Sequence, residues 1–524
     1  MDRLYERGLI SDPIPRIRQL LGTILALLAR TIKPMDAKGR KKRTAPGANT
    51  ASRKATRKRL ALFVLGFATF IALADTTIAG IALPSMRREL GFSAVDAQWI
   101  LNGYALAFGG LLLLLGRAGD LWGRRRVFVA GLVLFALASL LGGFSWAPWV
   151  LVAARLLQGV GAAAFVPASL SLLAAAFAEG EERNRAFGVY GAMGALGFVA
   201  GMVGGGVITE FLGWRWVMFV NVPLALAALL PAQMALPESR DEGAPRTLDL
   251  VGALTITLGL ASLVYAASEV PEGGPLSPAP LGFGALGVVL LSLFVATERR
   301  SSAPLVPLRV FGERAVVAPN AAIFLQSMVG IAWLYALTLH FQEVLGHGPL
   351  AAGLLFLPMT LAAVPAAPAA GRLATRFGLR ATAASGLVLV VAGLLLMARM
   401  SEGGALPLIL LGMVVGEVGF TLSIVPLEIA ASGAAGEDKR GLAAGLLNTS
   451  MQLGSASGLA VVATVIAAVS PALGGEAAGP EALVGGLRWG LLACVGFAVA
   501  ALPIVLWGVP EGEPSGERAA PGDR

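Results

Sequence analysis

The chain has 524 residues, of which 56% are hydrophobic and 14% charged, with a mean hydropathy of +0.75. A soluble protein carries about 25% charged residues, so most of this chain lies out of water, which excludes a soluble enzyme, a secreted scaffold and a disordered regulator. The net charge of +9 does not point to nucleic acid, because the basic residues adjoin hydrophobic segments and read as topology signals.

Residues 1–59 differ from the rest. Within them, residues 16–33 hold an apolar run too short to span a ~30 Å hydrocarbon core. Flanked by Arg and Lys, this run reads as an interfacial helix; no clear small-residue cleavage site of a signal peptide follows it. Residues 38–59 are polybasic and poor in apolar residues, a disordered cytoplasmic arm by composition, with a downstream start codon as the competing reading. From Leu60 onward fourteen segments of span length follow. The first six lie near 60–83, 99–116, 127–143, 149–177, 186–208 and 214–234. Two more lie near 249–268 and 280–297, and the last six near 315–343, 350–371, 379–399, 405–431, 441–468 and 484–508. The chain thus divides into a basic arm at 1–59, a six-helix bundle at 60–234, two inserted helices with linkers at 235–314, a second six-helix bundle at 315–508 and a tail at 509–524. It is an all-α polytopic membrane protein.

Orientation follows from Arg and Lys in the short loops. With the basic arm inside, the inner loops hold seventeen such residues, among them Arg117, Arg124–Arg126, Arg183, Arg376 and Arg380, against Arg87, Arg88, Arg215, Arg399 and Arg488 on the other side. An even number of spans places both termini inside as well, in a cell (plasma) membrane. Trp99, Trp122, Trp146, Trp149, Trp214, Trp216, Trp489 and Trp507 fall near span ends, as an aromatic belt requires. Trp333 falls inside its span and joins the substrate-site candidates.

After the second span comes Gly116-Arg-Ala-Gly-Asp120-Leu-Trp-Gly123-Arg124-Arg125, and after the corresponding span of the last six comes Gly371-Arg-Leu-Ala-Thr375-Arg376-Phe-Gly378-Leu-Arg380. One pattern at the same place in each six-helix block is a repeat signature. At these residues the chain resembles the major facilitator superfamily, and within it the fourteen-helix drug:proton antiporter branch. The likeness covers roughly residues 60–508. Gly116, Asp120, Gly123, Arg124 and Arg125 match the family's cytoplasmic loop motif, with Ala118 and Leu121 as departures. Arg155-Leu-Leu-Gln158-Gly159-Val-Gly161 matches its fourth-helix motif. Gly188, Gly197, Gly201, Gly205 and Gly206 match the spacing of the fifth-helix antiporter motif, whose proline is here Met202. The stretches Asp75-Thr76-Thr77 through Pro84 and Trp214-Arg215-Trp216 through Asn221-Val-Pro223 also look like this branch. The resemblance implies two six-helix bundles plus two extra helices, and a proton-driven exporter of hydrophobic or amphipathic small molecules, not an enzyme.

An ionisable residue inside a span costs about 2.5–3.5 kcal/mol or more and is a functional hypothesis by default. Asp75, Arg155 and Glu417 stand out. At 1.5 Å per residue Asp75 lies roughly 22 Å deep from the inner face and Arg155 roughly 21 Å, so the two can meet at one depth. The resemblance implicates Arg155 in proton coupling and makes Asp75 the candidate carrier; the competing reading is a structural ion pair that fixes helix register. Glu417 lies near the midplane, with Thr421 and Glu428 on its face. It is a departure from the branch, and three readings stand side by side: a second proton site, a determinant for cationic substrate, or a neutral hydrogen-bonded acid. Asp120 reads as a gate latch, with Arg124–Arg126 able to contact anionic lipid. Because Thr375 replaces the acid in the second half, a charged latch is expected on one side only. The fifth-helix glycines let backbones approach. Asn102, Tyr104, Gln158, Asn320, Gln326, Trp333 and Tyr335 are polar or aromatic groups within spans and form the list of candidate cavity residues.

One cysteine, Cys494, and two histidines, His340 and His347, are too few for a disulfide framework or a convincing metal site. No G-x-x-x-x-G-K-[ST] stretch exists to hydrolyse ATP. An ion gradient is left as the energy source, with no cofactor, a monomer as the working unit and lipids as surroundings. The rivals are an exporter dedicated to one natural product or lipid, a non-transporting membrane sensor, and a proton-driven importer. The two inserted helices receive no role from the sequence.

Overall fold

In the computed structural model, which describes residues 48–93, 96–178, 181–240, 249–274, 276–301, 312–401, 405–433, 440–472 and 480–511, every regular element is helical. The basic arm, with its expected interfacial helix at 16–33, lies outside the described residues as far as residue 47, as does the tail from residue 512, while residues 48–59, expected to be disordered, are helical. Fourteen segments are long and apolar enough to cross a membrane. They are α1 Thr56–Leu90, α2 Asp96–Trp122, α3 Arg124–Gly143, α4 Pro148–Ala176, α5 Arg185–Phe211, α6 Arg215–Ala235, α7 Leu250–Val270, α8 Pro278–Arg300, α9 Arg314–Val344, α10 Pro349–Phe377, α11 Leu379–Met397, α12 Leu406–Ser432, α13 Gly445–Ser470 and α14 Glu481–Gly508. Each overlaps a sequence-predicted span, the largest misses being the ends of α1, α2 and α10, which run six or seven residues further than expected.

Burial decides which helices lie inside. On α1 the buried positions Val64, Ala68, Ile71, Asp75, Ile78, Ala82 and Met86 recur every three or four residues, and Phe63 and Leu73 face out. The most hydrophobic 18-residue window of α9 is 78% buried and that of α8 only 17%. With mean hydropathy high on both, α9 is a core helix and α8 presents its apolar side chains to lipid.

The helices pack into three main apolar clusters whose positions fix the arrangement. One joins Val64–Ala72 of α1 with Phe128, Phe135, Phe165, Leu172 and Ala228, all from the first six helices. A second joins Ile323, Ala383, Leu427, Leu447 and Val505, all from the last six. Both lie toward the end where α1 begins, the end that carries Arg124–Arg126. At the opposite end a single large cluster draws on both halves: Ile78–Met86, Phe92, Ile100 and Met202 pack with Val329–Phe341, Phe356, Met413 and Leu491. The two halves therefore share one core at the end remote from the arginines and keep separate cores at the arginine-rich end. Polar contacts add to the shared core, with the Gln342 amide donating to the Ile81 carbonyl at 2.9 Å and Arg88 pairing with Glu343 at 3.5 Å.

The inserted pair has a definite seat. Thr257 of α7 lies against Gly110 of α2, and Thr464 of α13 donates to the α7 carbonyl of Ala267 at 3.0 Å. So α7 lines the seam where α2 and α13 meet, and α8 packs on its other side through Gly259 against Leu291 and Gly287 against Leu263.

The repeat read from sequence recurs as geometry. In each half the second helix turns into the third on a glycine with positive φ, Gly123 at 108° and Gly378 at 86°, a region L side chains rarely adopt.

Candidate functional site

Three helices converge on one carboxylate. Asp75 and Arg155 are both fully buried, and Arg155 Nη1 donates to Asp75 Oδ2 at 2.5 Å. The depth arithmetic that allowed the two to meet is realised as an ion pair. Asp75 Oδ1 accepts from Asn221 Nδ2 at 2.6 Å and from Gln158 Nε2 at 3.3 Å. Arg155 Nη1 also bonds Gln158 Oε1 at 2.8 Å, its Nε donates to the Ile100 carbonyl at 2.8 Å, and the Tyr104 ring lies 4.7 Å from the guanidinium carbon. Gln158 in turn donates to Ser139 Oγ on α3 at 2.7 Å. One ion pair thus ties α1, α2, α3, α4 and α6 together. Burial of two charges without such a network would be strongly unfavourable.

Tyr104 and Gln158, read from sequence as cavity residues, belong to this ion-pair cluster. Gln326 donates to the Phe420 carbonyl at 2.9 Å and bonds Ser423, which ties α9 to α12. Asn102 donates to Gln98 at 3.4 Å, and Asn320 to the Val316 carbonyl at 2.8 Å. Tyr335 is buried in the shared core. Trp333 packs against Gly416, one residue from Glu417, and lies 6.0 Å from the Phe420 ring. Glu417 is part-buried, and its carboxylate accepts from Thr421 at 3.4 Å. Among the described residues no ion pair involves it. An acid and two aromatic rings therefore lie along one stretch of α12 and α9 in the second half.

The loop motif is held by pairings within each half. Asp120 pairs with Arg124 of its own turn at 2.8 Å, because the four-residue spacing across Gly123 brings the two together before any group of the other half. An arginine–glutamate pairing also recurs within each half. Glu238, just past α6, accepts from the Arg125 backbone N–H at 3.2 Å and faces the Arg125 and Arg126 side chains at 3.6 and 3.7 Å, while Arg125 Nη1 reaches the Leu236 carbonyl. Glu511, just past α14, pairs with Arg380 at 2.6 Å, and Arg380 Nε reaches the Val509 carbonyl. A glutamate after the sixth helix supplies the negative charge each time, so Thr375, which bonds its own turn at Gly371, is not needed for it. The signal was present as Leu236-Pro-Glu238 and Val509-Pro-Glu511. Nearby, Lys58 bonds the exposed Glu182 at 2.7 Å and holds that carboxyl below its ordinary range.

Four of the five antiporter glycines sit at close approaches. A Cβ at Gly197 would meet backbone of Phe70, at Gly201 that of Ala74, and at Gly205 that of Ile78, all on α1, while Gly206 lies under Pro349 and Leu350 of α10. Gly188 meets nothing within 4 Å, so it takes no part in this packing. The second half holds a counterpart that the sequence reading missed: Gly454 and Gly458 of α13 lie on backbone of Phe324 and Met328 of α9. Of the belt residues, Trp122, Trp146, Trp149, Trp216, Trp489 and Trp507 are exposed. Trp214 is buried and donates to Glu89 at 2.6 Å.

Known proteins share this build. The chain is 38% identical over 447 residues to the puromycin resistance protein pur8 of Streptomyces alboniger, covering 84% of this chain and 88% of that one. It is 38% identical over 417 residues to the cephamycin export protein CmcT of Amycolatopsis lactamdurans, covering 77% and 84%. In fold it is similar to a bacterial homologue of the human lysosomal transporter Spinster solved in an inward-facing, unoccupied conformation, with a TM-score of 0.61 at 16% identity over 87% of this chain and 97% of that one. The Major Facilitator Superfamily model matches residues 65–459 and, separately, 322–524. With fourteen membrane-spanning helices in two related halves and an ion pair buried in the first, the chain belongs to the Major Facilitator Superfamily.

Proposed function

We propose that this protein is a proton-coupled exporter of hydrophobic or amphipathic small molecules in the cell membrane, with the arginine-rich end inside. The relatives whose names describe antibiotic resistance or export support the direction and the substrate class. The observation that carries proton coupling is the fully buried Asp75–Arg155 pair. A proton on Asp75 removes its charge and its hold on Arg155, and so biases two arrangements of the helices that the pair joins. Separate cores at the arginine-rich end and a shared core at the other suit a state closed outward, and rocking of the halves about the midplane provides alternating access.

The test uses everted membrane vesicles with an imposed pH gradient, to which puromycin or the lipophilic cation tetraphenylphosphonium is added. Wild type is expected to dissipate the gradient on addition of either compound, and Asp75→Asn to abolish the response with the protein still in the membrane. Release of protons that persists in Asp75→Asn would remove Asp75 as the carrier.

Glu417 is assigned to substrate, because among the described residues its carboxylate has no ion-pair partner and it follows Gly416, on which Trp333 packs, an acid and an aromatic ring at one level being suited to an organic cation. Glu417→Gln is expected to raise the half-saturating concentration of tetraphenylphosphonium about tenfold, the equivalent of roughly 1.4 kcal/mol, with neutral compounds unaffected. Equal loss for cations and neutral compounds would instead make Glu417 a second proton site.

A further inference from the structure

Asn221 is the one partner of Asp75 whose role neither the ion pair nor the membrane topology explains. It lies about 9 Å into α6 from the far end, as Arg155 lies about 10 Å into α4, so the two reach one level. The entry of α6 is pinned for this purpose: Trp214 and Arg215 both bond Glu89 at the end of α1, and Arg215 Nη2 donates to the Ser145 carbonyl at 3.0 Å. Asn221 is 2% exposed and places its amide on Asp75 Oδ1 at 2.6 Å, closer than Gln158 at 3.3 Å.

We propose that Asn221 is a positioning residue that directs the proton of Asp75 onto Oδ2 and sets the pH at which that proton is taken up. This inference rests on Asp75 being the carrier. Asn221 and Gln158 both donate to Oδ1 and fill its two lone pairs, whereas Oδ2 accepts from Arg155 alone among the described residues, so protonation falls on the free lone pair of Oδ2. That is the oxygen Arg155 holds. Proton uptake then competes directly with the Arg155 contact, and gain of a proton and release of the arginine become one event. Donation to the ionised carboxylate also favours the charged form. Arg155 of α4 and Tyr104 of α2 are the charged and titratable side chains at Asp75 among the described residues. Beside this stretch of α1 the α5 helix places Gly197 and Gly201, and its Phe198 carbonyl accepts from Thr77 at 3.2 Å.

The full-length protein in proteoliposomes is titrated by infrared difference spectroscopy, and the carboxylic acid C=O band missing from Asp75→Asn is assigned to Asp75. In Asn221→Leu, which keeps the volume and removes the donors, the midpoint of this band is expected to move up by about one pH unit, the size of one lost hydrogen bond to a charged group. Asn221→Ser, which keeps a hydroxyl donor, is expected to show a smaller shift in the same direction. A folded Asn221→Leu with the wild-type midpoint would overturn the role of Asn221 and leave Asp75 as the carrier. If the leucine variant does not fold, as judged by size-exclusion chromatography, an unshifted midpoint in Asn221→Ser overturns it equally. If Asp75→Asn removes no titrating band, Asp75 is not the carrier and the proton-coupling reading itself falls.

Discussion

Arg155→Met is expected to lower the stability of the protein by about 3–5 kcal/mol, because it leaves the Asp75 charge buried without its countercharge. Asp75 is fully buried and its remaining donors, Asn221 and Gln158, are neutral amides. The double variant Asp75→Asn/Arg155→Met is expected to recover at least half of the loss, since no uncompensated charge then remains, yet to stay inactive in proton release. Thermal unfolding of the purified protein in detergent, run on both variants, checks the first statement, and the vesicle assay checks the second. A double variant no more stable than Arg155→Met would locate the loss in the bonds of Arg155 to Ile100 and Gln158 instead. Recovery of stability without recovery of transport would separate the structural work of the pair from its work in coupling.

The second large effect is expected at Gly201. A Cβ there meets the Ala74 carbonyl, the Ala74 Cα at 2.9 Å and the Thr77 hydroxyl. Two of these are backbone atoms of α1 that cannot swing aside, so Gly201→Leu must push α5 away from the helix carrying Asp75. Overpacking of this kind costs about 1–3 kcal/mol, which cuts the folded-to-unfolded ratio about tenfold or more and separates α5 from the helix that carries Asp75. Gly188→Leu supplies the control, since open space surrounds that position. The expected result is near-wild-type yield and transport for Gly188→Leu and loss of both for Gly201→Leu, measured by fluorescence size-exclusion chromatography and by the vesicle assay. Equal tolerance at both sites would show that the α1–α5 approach is not a constraint.

The span count was legible because a bilayer demands about twenty apolar residues at a time, and the chain meets that demand fourteen times. The repeat was legible because Gly123 and Gly378 stand in corresponding frames. For Asp75 and Arg155, the sequence supplied a shared depth; that their helices face each other came only with the structure. Asn221 was visible only as part of a stretch typical of the family, because a neutral amide near a span end carries no charge to mark it. The glutamates past α6 and α14 were overlooked for a different reason: more than a hundred residues separate each from the arginine it meets, and no helical period links them.

Hydropathy, charge asymmetry and motif spacing, read along the chain, determined that this is a fourteen-helix membrane protein with two related halves and a candidate proton site in the first. These are properties of composition and of helix rise, which act locally. Only the tertiary structure decided that Tyr104 and Gln158 serve Asp75 and Arg155, that a glutamate past the sixth helix of each half meets a loop-motif arginine, and that α7 lines the seam between α2 and α13. Each of these depends on the rotation of one helix about its axis relative to another. In a membrane, where lipid is as apolar as the side chains, that rotation is chosen by close packing of small residues and by hydrogen bonds between helices. Such choices are made across the fold, by residues distant in sequence, and leave no periodic trace in it.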